Sequence, residues 1–205
     1  KLVVAPMMYL MTEETMKNFK SYVSNGGNLV GTYLSGLVNE NDLTYLGGWH
    51  KDLKDIYGIN VKELDTLYPK DKNSIEYNDK EFEVKDYCSI IDLLGAEVLA
   101  EYKDDFYKET PAITKNSLDN GKAYFIGART NQDFLSEFYD SIVSDLDLIE
   151  TNDFESPQGV SIQIRENENN KYYFVMNFTE ENQDIIINNL YEDLLTNEKV
   201  SGSRV

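Results

Sequence analysis

Three side chains in this sequence are candidates for a nucleophile or a base apart from the carboxylates. Ser35 lies in the run Thr32-Tyr33-Leu34-Ser35-Gly36, which is the nearest approach to a G-x-S-x-G nucleophile elbow but has Tyr33 where the first glycine belongs. Cys88 is the single cysteine and His50 the single histidine. We interpret Ser35 as a turn residue, Cys88 as a buried structural thiol and His50 as a surface or interface side chain.

Carboxylates are abundant, and a glycosidase needs two of them about 5 to 10 Å apart. Pairs such as Glu13/Glu14, Asp104/Asp105 and Glu180/Glu181 arise by chance in so acidic a chain, so their spacing identifies no catalytic pair. The glycines form neither G-x-G-x-x-G nor a P-loop, and one histidine with one cysteine makes no metal pair. The sequence therefore predicts no catalytic residue, no cofactor and no metal in this chain.

The charge of the chain narrows the choice of partner. Its 205 residues contain 37 acidic and 19 basic side chains, which gives a net charge of −18. Such a charge repels phosphate backbones and anionic lipid surfaces, and no apolar run reaches the length of a membrane span. We expect no nucleic-acid partner and no membrane association, and the single cysteine favours a reducing, cytoplasmic compartment.

The elements that would position any site begin at the first residue. Leu2–Ala5 is an apolar run closed by Pro6, which predicts a strand buried on both faces of a parallel sheet. Residues 12–24 show helical spacing behind a Thr12 cap, and Asn28–Tyr33 predicts a second strand, so the three form a βαβ unit. A hydrophobic strand at residue 1 needs a neighbour, and we expect the chain to be cut from something larger.

Further helices and strands are predicted along the rest of the first 150 residues. Lys51–Tyr57 and Phe134–Leu146 have helical periodicity, and Asn120-Gly121 is a strong turn signal. The predicted strands are Ser74–Tyr77, Glu81–Val84, Glu97–Tyr102, Ala112–Lys115 and Lys122–Ala128.

The hydrophobic period changes from about 3.6 to 2 near residue 150. Val160–Ile164, Tyr172–Met176 and Asp184–Ile187 alternate or run apolar with short acidic turns between them, as in an antiparallel meander. We therefore predict two domains, 1–150 and 151–205, of which the second is a small all-β domain that looks truncated after three or four strands.

Five segments, in order and with their spacing, carry a resemblance to a known family. They are Lys1–Gly36, Val38–Leu43 with Leu46–Gly48, Ala96–Ala100, Asp104–Tyr107 with Thr110–Asn116, and Gly121–Arg129.

Together these segments closely resemble the middle domain of glycoside hydrolase family 42 β-galactosidases, over about residues 1–148. Residues 157–200 resemble the start of that family's C-terminal β-domain, with Tyr191–Thr196 as the most recognisable piece. The resemblance implies an α/β fold, a flavodoxin-like, class I glutamine-amidotransferase-like three-layer sandwich, followed by part of a small antiparallel β-domain. It also implies that a separate TIM barrel carries both catalytic glutamates and binds the β-galactoside, while the middle domain forms a homotrimer.

Two functional hypotheses follow. The first is a non-catalytic trimerisation domain of a retaining β-galactosidase that hydrolyses terminal β-galactosides in carbohydrate metabolism, inactive by itself. The alternative is an amidotransferase-like carbohydrate-binding or regulatory module that stacks sugars on a tyrosine-rich surface. Because aromatic residues are enriched in interface cores, we predict an oligomer interface around the following residues, although the aromatic ones could equally cover their own sheet: Tyr33, Asn39, Asp42, Trp49, His50, Phe106 and Tyr107.

Overall fold

The computed structural model describes residues 1–148, 154–155 and 157–201. The chain divides into two compact units, Lys1–Asp147 and Leu148–Val205, called here the N-terminal and C-terminal units. The domain boundary predicted at residue 150 lies outside the described residues and stays a prediction.

The N-terminal unit contains nine strands and three helices among its described residues. The strands are β1 (Leu2–Ala5), β2 (Asn28–Thr32), β3 (Ile59–Thr66), β4 (Asn73–Tyr77), β5 (Lys80–Leu93), β6 (Glu97–Tyr102), β7 (Pro111–Leu118), β8 (Gly121–Ile126) and β9 (Ala128–Thr130). The helices are α1 (Glu13–Ser24), α2 (Lys51–Tyr57) and α3 (Gln132–Asp145).

These strands form one mixed sheet in the order β1-β2-β8-β7-β6-β4-β5-β3, with β9 paired to β5. Strands β1, β2 and β8 are parallel, and the remaining pairs are antiparallel. Only Gly127 separates β8 from β9, so the two strands are nearly continuous. Strand pairing runs from β8 through β7, β6, β4 and β5 to β9, and the sheet therefore closes into a ring. A Cβ on Gly127 would lie 2.7 Å from the Ala112 carbonyl oxygen, so this bend needs glycine.

Local sequence explains the three helices. The Thr12 hydroxyl accepts a hydrogen bond from the Thr15 N–H at 3.1 Å and caps α1, and the Asn131 side chain caps α3 in the same way through Phe134 N–H. Gly58, at φ 62°, ends α2 in the left-handed conformation. The predicted helices are confirmed, with bounds that differ by at most two residues.

Hydrophobic side chains fill both faces of the sheet, so the unit is a three-layer sandwich, as predicted. One core cluster joins the sheet to Phe134, Phe138 and Ile142 of α3. The other joins it to Met16 and Val23 of α1 and to Leu53 and Ile56 of α2. Alternate residues of β8 point into the two clusters, as the period of a strand requires.

Two sequence-based predictions need correction. Strand β1 is not buried on both faces, because it is the edge strand of the sheet and Val4 is 44 % exposed. The strand predicted at Glu81–Val84 is the first part of β5, which continues to Leu93 and pairs with β3, a strand that the sequence reading missed.

The C-terminal unit is all-β in its described residues, which confirms the antiparallel prediction. Its strands are β10 (Phe154–Glu155), β11 (Val160–Glu166), β12 (Lys171–Asn177), β13 (Ile186–Ile187), β14 (Tyr191–Asp193) and β15 (Glu198–Val200). They pair as three two-stranded antiparallel sheets around a small core of Phe154, Ile185 and Ile187. In the described part of either unit, no helix is both long and apolar enough to cross a membrane.

Candidate self-association surface

The candidate nucleophiles have structural roles. Ser35 is 4 % exposed, and its hydroxyl accepts a hydrogen bond from the Met8 N–H at 3.1 Å. Cys88 is fully buried, and burial raises the pKa of its thiol to about 11. A thiol held protonated in the core is a poor nucleophile.

His50 caps a helix. Its Nδ1 accepts a hydrogen bond of 3.2 Å from the Asp52 N–H at the start of α2. The ring also packs edge-on against Tyr45, with 4.8 Å between ring centroids. Across the described residues, no group of three histidine, cysteine, aspartate or glutamate side chains is placed to hold a metal ion.

The topology brings three loops to one edge of the sheet. The carboxyl ends of β1 and β2 lead into residues 6–12 and 33–50, and these ends lie beside the end of β8. Strands β6 and β7 are joined at the same edge by residues 103–110, because Ile113 of β7 pairs with Ile126 of β8 and Glu101 of β6 pairs with Pro111. All seven predicted interface residues lie in these loops, at what we call the carboxyl edge.

Hydrogen bonds hold the first two loops together. The Met7 N–H donates to the Thr32 hydroxyl at 2.8 Å, and the Gly36 N–H donates to the Met8 oxygen at 2.8 Å. Val38 then forms isolated β-bridges with Leu10 on one side and Thr44 on the other. The two loops therefore form one hydrogen-bonded assembly.

Asn39 shapes the turn in the second loop. Its side-chain oxygen accepts hydrogen bonds from the N–H groups of Asn41 at 2.9 Å and Leu43 at 3.1 Å. Asp42 has φ 60°, a left-handed conformation that aspartate tolerates better than most residues. Asn39 thus acts as a positioning residue, while Asp42 is exposed to solvent.

Two of the predicted aromatic residues lie in the core of their own chain. Trp49 is 6 % exposed, stacks on Tyr57 and packs edge-on against Phe125. Tyr107 is 2 % exposed and donates a hydrogen bond of 2.9 Å to the Asp65 carboxylate. Neither ring has enough exposed surface to contact a partner. These two residues can therefore support an interface only by holding the loops in position.

The other two predicted aromatic residues keep accessible surface. Phe106 is 76 % exposed and packs edge-on against Tyr107. Tyr33 is half-buried, stacks on Tyr87 with 5.5 Å between ring centroids, and has its pKa raised by burial. The strands that these two residues follow, β2 and β6, are separated in the sheet by β8 and β7.

Sequence reasoning missed the apolar side chains that the first two loops expose. An exposed leucine in a loop gives no periodic signal. The interface prediction was based on aromatic residues, and two of these, Trp49 and Tyr107, lie in the core. These side chains, which we call the carboxyl-edge surface, are Met7, Tyr9, Leu10, Leu43 and Leu46.

The sequence of this chain matches two known protein domains over most of its length. The family described as β-galactosidase trimerisation domain matches residues 1–149, and the one described as β-galactosidase C-terminal domain matches residues 159–205. The chain therefore belongs to the glycoside hydrolase family 42 β-galactosidases, as the sequence motifs predicted.

Individual relatives agree with that assignment. The chain is 46 % identical over 202 residues to β-galactosidase GanA of Bacillus subtilis and 44 % identical over 209 residues to β-galactosidase Pbg of Clostridium perfringens. Each alignment covers 98 % of this chain and 30 % of the relative, so the chain spans less than a third of the curated relatives it matches.

Solved structures show the same relationship. The crystal structure of a β-galactosidase from Bacillus circulans sp. alkalophilus has a TM-score of 0.89 and 33 % identity, over 99 % of this chain and 31 % of that one. A catalytic mutant of Gan42B, a GH42 β-galactosidase from G. stearothermophilus, has a TM-score of 0.92 and 45 % identity, over 99 % and 30 %.

Proposed function

We propose that this chain is the trimerisation part, with C-terminal β-domain sequence, of a β-galactosidase. The observation that carries the proposal is the match of residues 1–149 to the trimerisation domain. In this proposal the N-terminal unit holds three copies together, and the partner of the chain is itself.

The proposed activity of the whole protein is hydrolysis of terminal β-D-galactosides with retention of configuration, in carbohydrate metabolism. A retaining glycosidase needs two carboxyl groups about 5 to 5.5 Å apart. We assign those groups, and the galactoside site, to sequence outside these 205 residues, in keeping with the structural roles of Ser35, His50 and Cys88. The purified chain should then release no nitrophenol from a nitrophenyl β-galactoside, and hydrolysis by the chain would contradict this part of the proposal.

The predicted interface residues fall into two groups under this proposal. Asp42, Phe106 and half-buried Tyr33 have surface to contact a neighbouring copy. The remaining four act as positioning residues, because their side chains are used within the fold: Asn39, Trp49, His50 and Tyr107.

The alternative carbohydrate-binding module loses its main support. It relied on a tyrosine-rich surface, yet most of the 15 tyrosines are buried or half-buried, and Tyr9 and Tyr68 are the two classed as exposed. Tyrosine has a large apolar body that favours burial when its hydroxyl finds a partner, as Tyr107 and Tyr102 do.

Sedimentation velocity of the purified chain over a hundredfold range of concentration tests the proposal. Reversible formation of a species three times the mass of the 23.6 kDa chain is the expected result. A monomer throughout, together with saturable binding of galactose or lactose, would favour the module. The expected absence of nucleic-acid and membrane partners follows from the −18 charge, and the cytoplasmic location stays a prediction.

A further inference from the structure

We propose that the carboxyl-edge surface is a contact surface between copies of this chain, with Leu43 and Leu46 at its centre. This inference rests on the proposed trimerisation function and adds the place where the copies meet. The occupant of the surface is a second copy of the same chain.

The first support is the exposure of apolar side chains. Leu46 is fully exposed and Leu43 is 62 % exposed, while Met7, Tyr9 and Leu10 are each nearly half exposed. The bridges from Val38 to Leu10 and to Thr44 place the segments that carry these side chains next to each other. Apolar side chains exposed next to one another on a globular domain are a feature of protein interaction sites.

The second support is that the loops are already ordered. Asn39 closes the turn that precedes Leu43 with two hydrogen bonds, and the Tyr45 hydroxyl donates a bond of 2.5 Å to the Met11 oxygen. On the other side of Leu46, Trp49 is locked in the core. Because the backbone around these leucines is held in place, a partner would bind them with little loss of loop entropy.

The charge of the chain does not by itself select a second copy as the partner, so the choice rests on the apolar side chains and on the family match. Exposed Glu40 and Asp42 flank the surface, and a basic partner would be recognised by such carboxylates. The leucines at its centre are uncharged, and two copies that each carry −18 must associate through apolar contact that outweighs their repulsion. Trimerisation, which the family match indicates, supplies the occupant that this arrangement requires.

Symmetry limits what this surface can be. In a closed ring of three copies, each copy contributes two different faces to its two neighbours. The carboxyl-edge surface is one of those faces. It lies at the opposite edge of the sheet from Leu94, which follows β5 and is 59 % exposed.

The test compares three forms of the full 205-residue chain by sedimentation equilibrium: the unchanged chain, the double variant Leu43→Ser/Leu46→Ser, and the control Leu94→Ser. Each serine replaces an apolar side chain that the contact would remove from water. We expect the double variant to weaken self-association at least tenfold and the control to leave it within twofold. Because the replaced side chains are exposed, both variants should keep the emission spectrum of the single, buried Trp49.

The outcomes separate this inference from the proposal beneath it. If the unchanged chain forms trimers and the double variant forms them equally well, the inference is overturned and the trimerisation function stands. If Leu94→Ser weakens the trimer and the double variant does not, the copies meet at the opposite edge of the sheet, which also overturns the inference. If the unchanged chain stays monomeric at every concentration, both the function and the inference fail for this chain.

Discussion

The indole N–H of Trp49 donates a hydrogen bond of 2.9 Å to the backbone oxygen of Ser35. This bond joins the two ends of the loop that carries Leu43 and Leu46. Ser35 and Trp49, which are 14 positions apart, are thereby held together. We call this joined pair of loop ends the loop base, and the exposed part of the loop extends from it. The stability of that base can be measured independently of self-association.

Replacement of Trp49 should destabilise the N-terminal unit. The change Trp49→Ala removes the stacking on Tyr57 and Phe125 as well as the bond to Ser35, and such losses cost about 3–5 kcal/mol. Trp49→Phe keeps an aromatic ring and should cost less. Urea unfolding followed by far-ultraviolet circular dichroism measures both, and a loss below 1 kcal/mol for the alanine variant would contradict the buried position.

Two glycines of the same loop should respond differently to alanine. Gly36 has φ 68°, and a Cβ there would lie 2.1 Å from the buried Leu53 Cδ1. Gly47 has φ 85° but open space around it. We expect Gly47→Ala to cost about 1–2 kcal/mol through conformation alone, and Gly36→Ala to cost a further 1–3 kcal/mol or so through overpacking. Equal urea midpoints for the two variants would show that the loop base is loosely packed.

Removal of one negative charge at the surface should strengthen self-association. Asp42 is exposed beside Leu43 and has φ 60°, which asparagine also tolerates, so Asp42→Asn should fold normally. We expect the trimer to tighten by a few-fold at low salt and the gain to shrink in 0.5 M NaCl, where charges are screened. The matched control is Asp119→Asn, an exposed aspartate at φ 51° in the β7–β8 turn, at the opposite edge. A control that gains as much as Asp42→Asn would mean that only net charge matters.

Alkaline pH should destabilise the fold through Cys88. Burial raises the pKa of this thiol from its ordinary 9.0 to about 11, so the folded state holds the proton more tightly than the unfolded state. This contribution to the free energy of unfolding is complete below pH 9 and is lost as the pH rises toward 11. One proton gives a slope of at most about 1.4 kcal/mol per pH unit.

Urea unfolding of the unchanged chain and of Cys88→Ala between pH 7 and 10 measures that slope. The alanine variant should be less stable at pH 7, because it leaves a small cavity, but its stability should fall less between pH 9 and 10. Burial also raises the pKa values of Tyr57 and Tyr102 from 10.0, so their ionisation adds to the loss of stability at still higher pH. Parallel pH profiles for the two forms would contradict this account of Cys88.

The sequence predicted the helices and the parallel strands because their signals are local. Caps such as Thr12 and apolar runs such as Lys122–Ala128 depend on a few neighbouring residues. Strand β3 was missed because Ile59–Thr66 is mostly polar and pairs with β5 at long range. The exposure of β1 was missed for a related reason, since an apolar run does not tell whether a strand lies inside a sheet or at its edge.

The oligomer interface stays a prediction, and the structure changes which side chains in the predicted segment have surface to offer a partner. The segment from Tyr33 to Trp49 does lie together at the carboxyl edge, as its place after β2 indicates. Aromatic residues are enriched both in cores and at interfaces, so sequence could not separate buried Trp49 from exposed Phe106. Leu43 and Leu46 became candidates only when their exposure was known.

The most direct test of the carboxyl-edge surface is the reactivity of a single thiol placed on it. Cys88 is buried, so Leu46→Cys and the control Leu94→Cys each present one accessible thiol. With maleimide at pH 7, the thiol at position 46 should react at least tenfold more slowly at concentrations where the chain is trimeric than at concentrations where it is monomeric, while the thiol at position 94 keeps a constant rate. Equal rates at position 46 in trimer and monomer would show that the copies meet elsewhere.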